Sequence, residues 1–573
     1  MNGARHIEAA AGHADCDLNI VGARVADLYR GVLVEGATVS IAGGAVVGVN
    51  DGLRARETFD AAGRVLAPGF TDAHVHIESS LLSPAEYARL VCPRGTTSVV
   101  ADPHEIANVL GYDGMSYMLR ASEGLPVDVF LVAPSCVPAT DFDTAGAAIY
   151  AADMHPWLRD PRVLGLGEVM NFPGVLARDR ILLDKVALFR EAGKAIDGHA
   201  PGLSGKDLSA YIAAGILSDH ESTTAEEALE KVSKGMRVML REGSAARDLE
   251  NLASAVTARN ARRFMLCSDD RHPDDLAREG HVDRMLRLLV AKGVDPLDAL
   301  AMASLVPAEH YGLRDRGAVA PGKRADLVLL EDLSSFKVAA VWKDGRLAAR
   351  DGRMVAAIEP RPVAVRDSVN IKWLKAEDFR IPREGRRVRA ITCAEGSLVT
   401  GELVVEPPVG PDGYCASDAE RDLARVYVIE RHRGSGNIGK GYLRGLGMKR
   451  GAIGSTVSHD SHNMIVAGMD DESIFKAAKR LNKIGGGFVA ALGDEVLAEL
   501  PLPIGGLMSD RAAEEVVAAL DRFSALFAAE LFANSEPLMT LAFMALPVIP
   551  KLKITDRGLV DVERFERVGL WVD

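Results

Sequence analysis

Five short segments of this 573-residue chain each close an apolar run with a histidine or a carboxylate. They are Asp72-Ala-His74-Val-His76-Ile-Glu78, Gly165-Leu-Gly-Glu168, Asp197-Gly-His199, Ser218-Asp-His220-Glu221 and Cys267-Ser-Asp269-Asp270. Residues two apart on a strand project from one face, so His74, His76 and Glu78 should converge. One H-x-H pair is weak evidence for a metal, and each histidine alone has an ordinary structural explanation. The set is stronger: imidazoles and carboxylates without a thiolate suit zinc, manganese or iron. Four histidines with a carboxylate able to bridge them would hold two divalent ions, and a water shared by two metals loses its proton near neutral pH.

Such groups must be delivered to one place by strands of one sheet. The apolar runs Val65–His76, Thr97–Asp102, Val127–Ser135, Val163–Val169, Ala195–His199, Gly215–His220, Arg237–Arg241 and Phe264–Ser268 read as strands buried on both faces. Between them, Pro84–Cys92, Asp184–Ala192, Ala225–Lys234 and Arg247–Arg259 carry apolar residues at helical spacing. Strands alternating with helices over about 250 residues match a (β/α)8 TIM-type barrel, whose active groups sit at the C-terminal strand ends. Short strands with glycine turns on both sides, such as Ala37–Ile41, Ala45–Val49, Ala325–Leu330 and Val338–Trp342, are expected to pair into one small β-sandwich. The remainder reads as a separate C-terminal α/β domain, with connected turns expected in the glycine-dense stretch Gly434–Gly454. The expected α/β architecture is therefore residues 1–64 and 315–365 as the two parts of the sandwich, 65–314 as the barrel and 366–573 as the added domain.

Composition excludes several classes. A net charge of −13 argues against a phosphate-backbone binder, although not against an uncharged nucleobase. No apolar run reaches membrane-spanning length, and Met1–Cys16 lacks the apolar stretch of a signal peptide. Six scattered cysteines form no C-x-x-C pair, so a reduced cytoplasmic protein is expected. Gly434-Ser-Gly-Asn-Ile-Gly439 fits a dinucleotide pattern, but the glycines that follow disfavour the helix it requires. His76-Ile-Glu78 lacks the P-C-x-x-C partner of nucleic-acid deaminases, and neither H-E-x-x-H nor G-x-S-x-G occurs.

The order of these ligands, with Val65-Leu-Ala-Pro-Gly-Phe-Thr-Asp-Ala-His-Val-His76 and Gly317-Ala-Val-Ala-Pro-Gly-Lys-Arg-Ala-Asp-Leu-Val-Leu329, resembles the amidohydrolase superfamily. Further segments resemble its adenine deaminases: His74-Val-His-Ile-Glu-Ser-Ser80, Asp102-Pro-His-Glu-Ile-Ala-Asn108, Pro134-Ser-Cys-Val-Pro-Ala-Thr140, Asp269-Asp-Arg-His-Pro-Asp-Asp275 and Ser458-His-Asp-Ser-His-Asn463. The resemblance covers nearly the whole chain. It implies that His74, His76 and Asp269 hold one metal (manganese, iron or zinc), that His199 and His220 hold a second, and that Glu168 bridges them where many relatives use a carboxylated lysine. It further implies attack of a metal-bridged hydroxide on C6 of adenine, with Asp269 passing the proton to the departing ammonia. The expected partners are adenine and further copies of the chain, a dimer among the options, with no nucleic acid and no membrane.

Glu78 stands where ring-opening relatives such as dihydroorotase resemble one another in an arginine that holds a carboxylate. A glutamate there would repel a carboxylate and favour an uncharged ring; alternatively it only caps a turn. Asp102, His104 and Glu105, at the end of the second strand, and Glu221 are candidates to orient substrate. Asp270 is an alternative to Asp269 as ligand or contacts substrate, and whether His459, Asp460, His462 and Asn463 reach the barrel mouth stays open. Rival readings are an amidohydrolase acting on another nucleobase or a cyclic amide, and a non-catalytic metal-stabilised scaffold.

Overall fold

The computed structural model describes residues 3–572 except 362, 364, 366, 395–398 and 533–536. Parallel strands Phe70–Val75, Thr96–Ala101, Asp128–Ala133, Val163–Val169 and Ala195–Gly198 form one sheet in chain order, and Ser218–Asp219, Arg237–Arg241 and Phe264–Cys267 form another. Backbone hydrogen bonds join the two at both edges. Leu217 N–H donates to Ile196 O at 3.3 Å, while Asp269 N–H donates to His74 O at 3.0 Å and His76 N–H to Asp269 O at 3.2 Å. The strands thus ring a barrel, and their residues are almost all buried, as the apolar runs require.

The run expected as one strand over Val65–His76 is two. Val65–Pro68 pairs with Leu327–Leu330 in the flanking sheet, and Phe70–Val75 enters the barrel. Gly69 marks the break: a Cβ there would lie 2.1 Å from Thr97 Oγ1, so only glycine lets the chain cross the second strand so closely. The flanks do join each other. Strands from Cys16–Asp27, Val32–Ala42, Ala45–Val49 and Val65–Pro68 continue through Leu327–Leu330, Val338–Lys343, Arg346–Arg350 and Arg353–Met354 in a 9-stranded sheet, with Ala55–Asp60 on Cys16–Asp27.

Two other expectations are corrected. The helix expected over Arg247–Arg259 shrinks to Leu249–Leu252 and a 3-10 turn, Ala253–Ala255. Asp248 is drawn to Arg241 (Nη2 to Oδ2, 2.9 Å), and Asn260 Oδ1 accepts the Thr257 N–H at 2.7 Å, which favours a turn over a helix. The stretch Gly434–Gly454 contains strands Ile438–Arg444 and Ala452–Ser455 rather than turns alone. Gly439 permits close packing, since a Cβ would stand 1.9 Å from Thr555 O. The segment after the dinucleotide-like pattern is therefore strand, not helix.

The C-terminal region centres on an 8-stranded sheet running from Gly401–Val405 to Glu495–Pro501, with helices Asp471–Ile484 and Ala513–Leu526 packed on it. It lies over the barrel mouth. Ser509 N–H donates to Leu81 O at 2.8 Å, and Ala513 N–H to Glu86 Oε2 at 3.0 Å. The buried Asp556 carboxylate accepts the Thr144 N–H (2.9 Å) and hydroxyl (2.7 Å) from the barrel and Asn437 Nδ2 (3.1 Å) from its own domain. Among the described residues no helix is long and apolar enough to cross a membrane. Asp556→Ala strands these buried donors and is expected to destabilise the protein by about 2 kcal/mol, read as a lower thermal midpoint; an unchanged midpoint would show the tie to be dispensable.

Candidate metal centre

The strand ends bring four histidines and two carboxylates around one point. His74 and His76 leave the first strand, and their Nε2 atoms face each other at 3.2 Å. Asp269 follows the eighth strand and sets Oδ1 at 3.1 Å from His76 Nε2 and 3.6 Å from His74 Nε2. Glu168, near the end of the fourth strand, lies between two groups. Its Oε1 is 3.3 Å from His76 Nε2, and its Oε2 is 2.5 Å from His199 Nδ1 and 3.2 Å from His220 Nε2. All are buried except His199, whose side chain keeps 28% exposure and opens the centre to one side.

The supports are as particular as the ligands. His76 Nδ1 donates to Asp102 O at 2.8 Å, which leaves Nε2 bare toward the centre. Asp102 Oδ2 also accepts the Glu168 N–H at 2.9 Å, and Gly167 makes this possible, because a Cβ there would lie 2.1 Å from that oxygen. Asp269 has a left-handed backbone (φ 52°), which turns its carboxylate onto His74 and His76. Arg241 Nη1 holds the other oxygen of Asp269 at 3.1 Å and also binds Glu221. Behind His199 and His220, the fully buried Lys231 donates to Asp219 Oδ2 and to Ala200 O, each at 2.8 Å.

Electrostatics follow from burying these groups against one another. Burial alone would lower the imidazole of His76, yet Asp269 and Glu168 hold it well above its ordinary value. His220 is likewise opposed by burial but raised to about 9 by Glu168. Burial would raise Glu168, but His199, His220 and His76 hold it well below the ordinary carboxylate range. The centre is therefore a site of negative potential that takes up positive charge, whether proton or metal.

The other sequence candidates fall around it. Glu78 is buried, its Oε1 accepts the Ile106 N–H at 3.2 Å, and its Oε2 makes no hydrogen bond. Part of its role is thus to cap the helix His104–Leu110. His104 Nδ1 is 3.4 Å from Glu168 Oε1, and Glu221 Oε1 is 3.5 Å from His220 Nε2. Asp270 lies beside the cluster rather than in it and accepts the Ser79 hydroxyl at 2.5 Å. From the C-terminal domain, His459 Nδ1 reaches 3.5 Å from Glu105 Oε1, and Asp460 Oδ1 reaches 3.9 Å from His104 Nε2. His462 is buried behind them, and Asn463 Nδ2 donates to Thr144 O at 2.8 Å. Sequence reasoning missed Arg241 and Lys231. Arg241 ends the seventh strand, the same signal that picks out the ligands; Lys231 has no such signal, being one of several charges on an amphipathic helix.

Residues 65–348 match the amidohydrolase family and residues 397–566 the adenine deaminase C-terminal domain. The chain is 50% identical over 562 residues to the adenine deaminase of Nitratidesulfovibrio vulgaris, covering 98% of this chain and 97% of that one. The chain belongs to the adenine deaminase family. Another member of the family, from Desulfatibacillum aliphaticivorans, is 48% identical and covers 99% of both chains. Among solved structures, a beta-aspartyl dipeptidase from Fervidobacterium islandicum aligns over 59% of this chain and 98% of its own at 19% identity, with a TM-score of 0.45.

Lys231→Met leaves Asp219 as a buried, uncompensated charge. It is expected to cost about 3–5 kcal/mol and to weaken manganese binding about tenfold or more as His220 loses its backing. Equal thermal midpoints and equal metal affinities for variant and parent would refute that positioning role.

Proposed function

We propose that this protein hydrolyses adenine to hypoxanthine and ammonia, a reaction of purine salvage. The reading is carried by the near full-length identity to proteins named adenine deaminase, C-terminal domain included.

The donor set fits a pair of divalent ions, manganese, iron or zinc. His220 is 1% exposed, yet neither of its ring nitrogens makes a hydrogen bond; nor does His74 Nδ1. The Nε2 atoms of His74 and His76 face each other at 3.2 Å, where they can share one proton or turn together to a cation. His74, His76 and Asp269 would hold one ion, His199 and His220 the other, and Glu168 would bridge them, one oxygen to each side. When bound, the ions supply Lewis acidity and a water of lowered pKa.

The chain's own groups do the rest. Asp269 Oδ2, fixed by Arg241, takes the proton of the attacking water and delivers it to the amine leaving C6. Glu78 Oε2, buried and without a hydrogen bond, is the group to meet a ring nitrogen. Burial pushes Glu78 above its usual range, which favours the protonated form that can donate there. Asp102 and His104 brace Glu168, Glu221 stands at the His199 side, and Asp270 with Ser79 bounds the substrate space. The C-terminal domain lies over the mouth and limits access to the His199 side, which keeps 28% exposure.

The same reading takes residues 1–64 and 315–365 as one β-sandwich, 65–314 as the barrel and 366–573 as the C-terminal domain; residue 366, at the last boundary, lies outside the described residues. The pairing of both flanks in one sheet supports the first of these. A homo-oligomer in the cytoplasm completes the reading and rests on the sequence alone.

The test is ammonia release by manganese- or iron-loaded protein given adenine, cytosine, guanine or dihydroorotate. Turnover of adenine alone is expected, lost on chelation and restored by manganese. Ammonia from another base but not adenine would reassign the substrate, and no turnover with both metals bound would favour a scaffold. His199→Ala is expected to lose metal and to reduce the rate by about a thousandfold; full activity would overturn the ligand assignment.

A further inference from the structure

We propose that His459, supplied by the C-terminal domain, contacts the five-membered-ring edge of the substrate and restricts the site to bases unsubstituted there. This rests on adenine being the substrate.

The loop carrying His459 is locked in place. It joins strands Ala452–Ser455 and Met464–Gly468 and is tied on several sides. The buried Arg431 guanidinium donates to His462 O and, at 3.1 Å, to Gly505 O. His432 Nε2 donates to Ser461 O at 2.7 Å, and Asn463 anchors the loop to Thr144 of the barrel. On this support, the ring of His459 has little freedom. It stacks on Phe543 with centroids 4.6 Å apart and planes 12° apart, while its Nδ1 edge turns to Glu105. That leaves the Nε2 edge for the cavity that His459 helps to line.

The cavity has a volume of about 100 Å³ and joins a polar end, Ser79, Asp270 and His459, to an apolar wall including Leu81, Phe523 and Phe527. Its polar end reaches the metal centre through the neighbour of His459: Asp460 Oδ1 is 3.9 Å from His104 Nε2, and the His104 ring packs on His76 with centroids 4.6 Å apart. A planar base with its reacting carbon at the metals would therefore point its far edge toward His459. Burial lowers the imidazole pKa of His459, so the ring stays neutral, and with Nδ1 turned to Glu105 it offers the cavity one nitrogen, Nε2. An unsubstituted purine presents an N–H and a bare nitrogen on that edge, either of which one imidazole nitrogen can meet. A substituent on N9, as in a nucleoside, removes the proton and needs room that the stacked His459–Phe543 pair occupies.

Glu105, His459 and His462 also lie close enough together to suggest a third cation site. The hydrogen bonding speaks against it. His462 Nδ1 accepts the Ser458 N–H at 3.1 Å, so in the neutral ring the proton sits on Nε2, the atom nearest Glu105. That nitrogen is a donor, not a ligand.

The experiment compares adenine with 9-methyladenine in metal-loaded wild type, His459→Phe and His459→Ala. Elemental analysis checks equal metal content, and calorimetry measures hypoxanthine binding by the metal-free proteins. His459→Phe keeps the stack and removes both nitrogens, whereas His459→Ala opens the space; if one fails to fold, the other decides. The expected result is a rise of about ten- to hundredfold in KM for adenine with a much smaller change in kcat, and hypoxanthine binding weakened to match. Discrimination against 9-methyladenine should shrink, most in His459→Ala. Unchanged KM, hypoxanthine affinity and discrimination in a folded, metal-replete variant would overturn the inference. Absence of adenine turnover in the wild type would instead overturn the functional reading on which it rests.

Discussion

A carboxylate buried among imidazoles sets the terms for the rest of this structure. Glu168 could not remain ionised at 3% exposure without cationic partners, and it has them on both sides: His76 near one oxygen, His199 and His220 near the other. The barrel supplies that environment from strand ends far apart in sequence. Asp102 braces the Glu168 backbone from the second strand, and Gly167 yields the space for it. A lysine in this position would need carboxylation to supply two oxygens; glutamate has them already.

The same electrostatic demand explains the layer behind the ligands. Arg241 and Lys231 are buried cations, each tied to a carboxylate or carbonyl that in turn holds a ligand-bearing loop. Burying such ions is tolerable only where their hydrogen bonds are satisfied, and both form several. The C-terminal domain adds the remaining wall. Its contacts through Asp556, Asn463 and Glu86 place His459 and Asp460 beside Glu105 and His104 at the end of the second barrel strand.

Much of this was legible in the sequence, because a strand's period of two and the polarity of a parallel barrel convert short motifs into positions in space. His74, His76, Glu168, His199, His220 and Asp269 could be grouped before any coordinates. Local geometry escaped where tertiary contacts overrode pattern. Gly69 divides an apolar run that reads as one strand, and the polar tie between Arg241 and Asp248 accompanies a helix cut short after Leu252. Lys231 was invisible for another reason: on the sequence of an amphipathic helix, a lysine that faces solvent and one that neutralises a buried aspartate look alike. The reach of His459 across the domain boundary was equally beyond sequence, since it depends on how the barrel and the C-terminal sheet meet.

The joining of two metal positions by Glu168 is the central proposal. Its most direct test is the number of manganese equivalents bound at saturation, by elemental analysis after removal of free metal, in the full-length chain and in Glu168→Ala. The expected result is two equivalents in the parent and no more than one in the variant, with the fold intact by circular dichroism. Two equivalents retained by the variant, or a single equivalent in the parent, would contradict it.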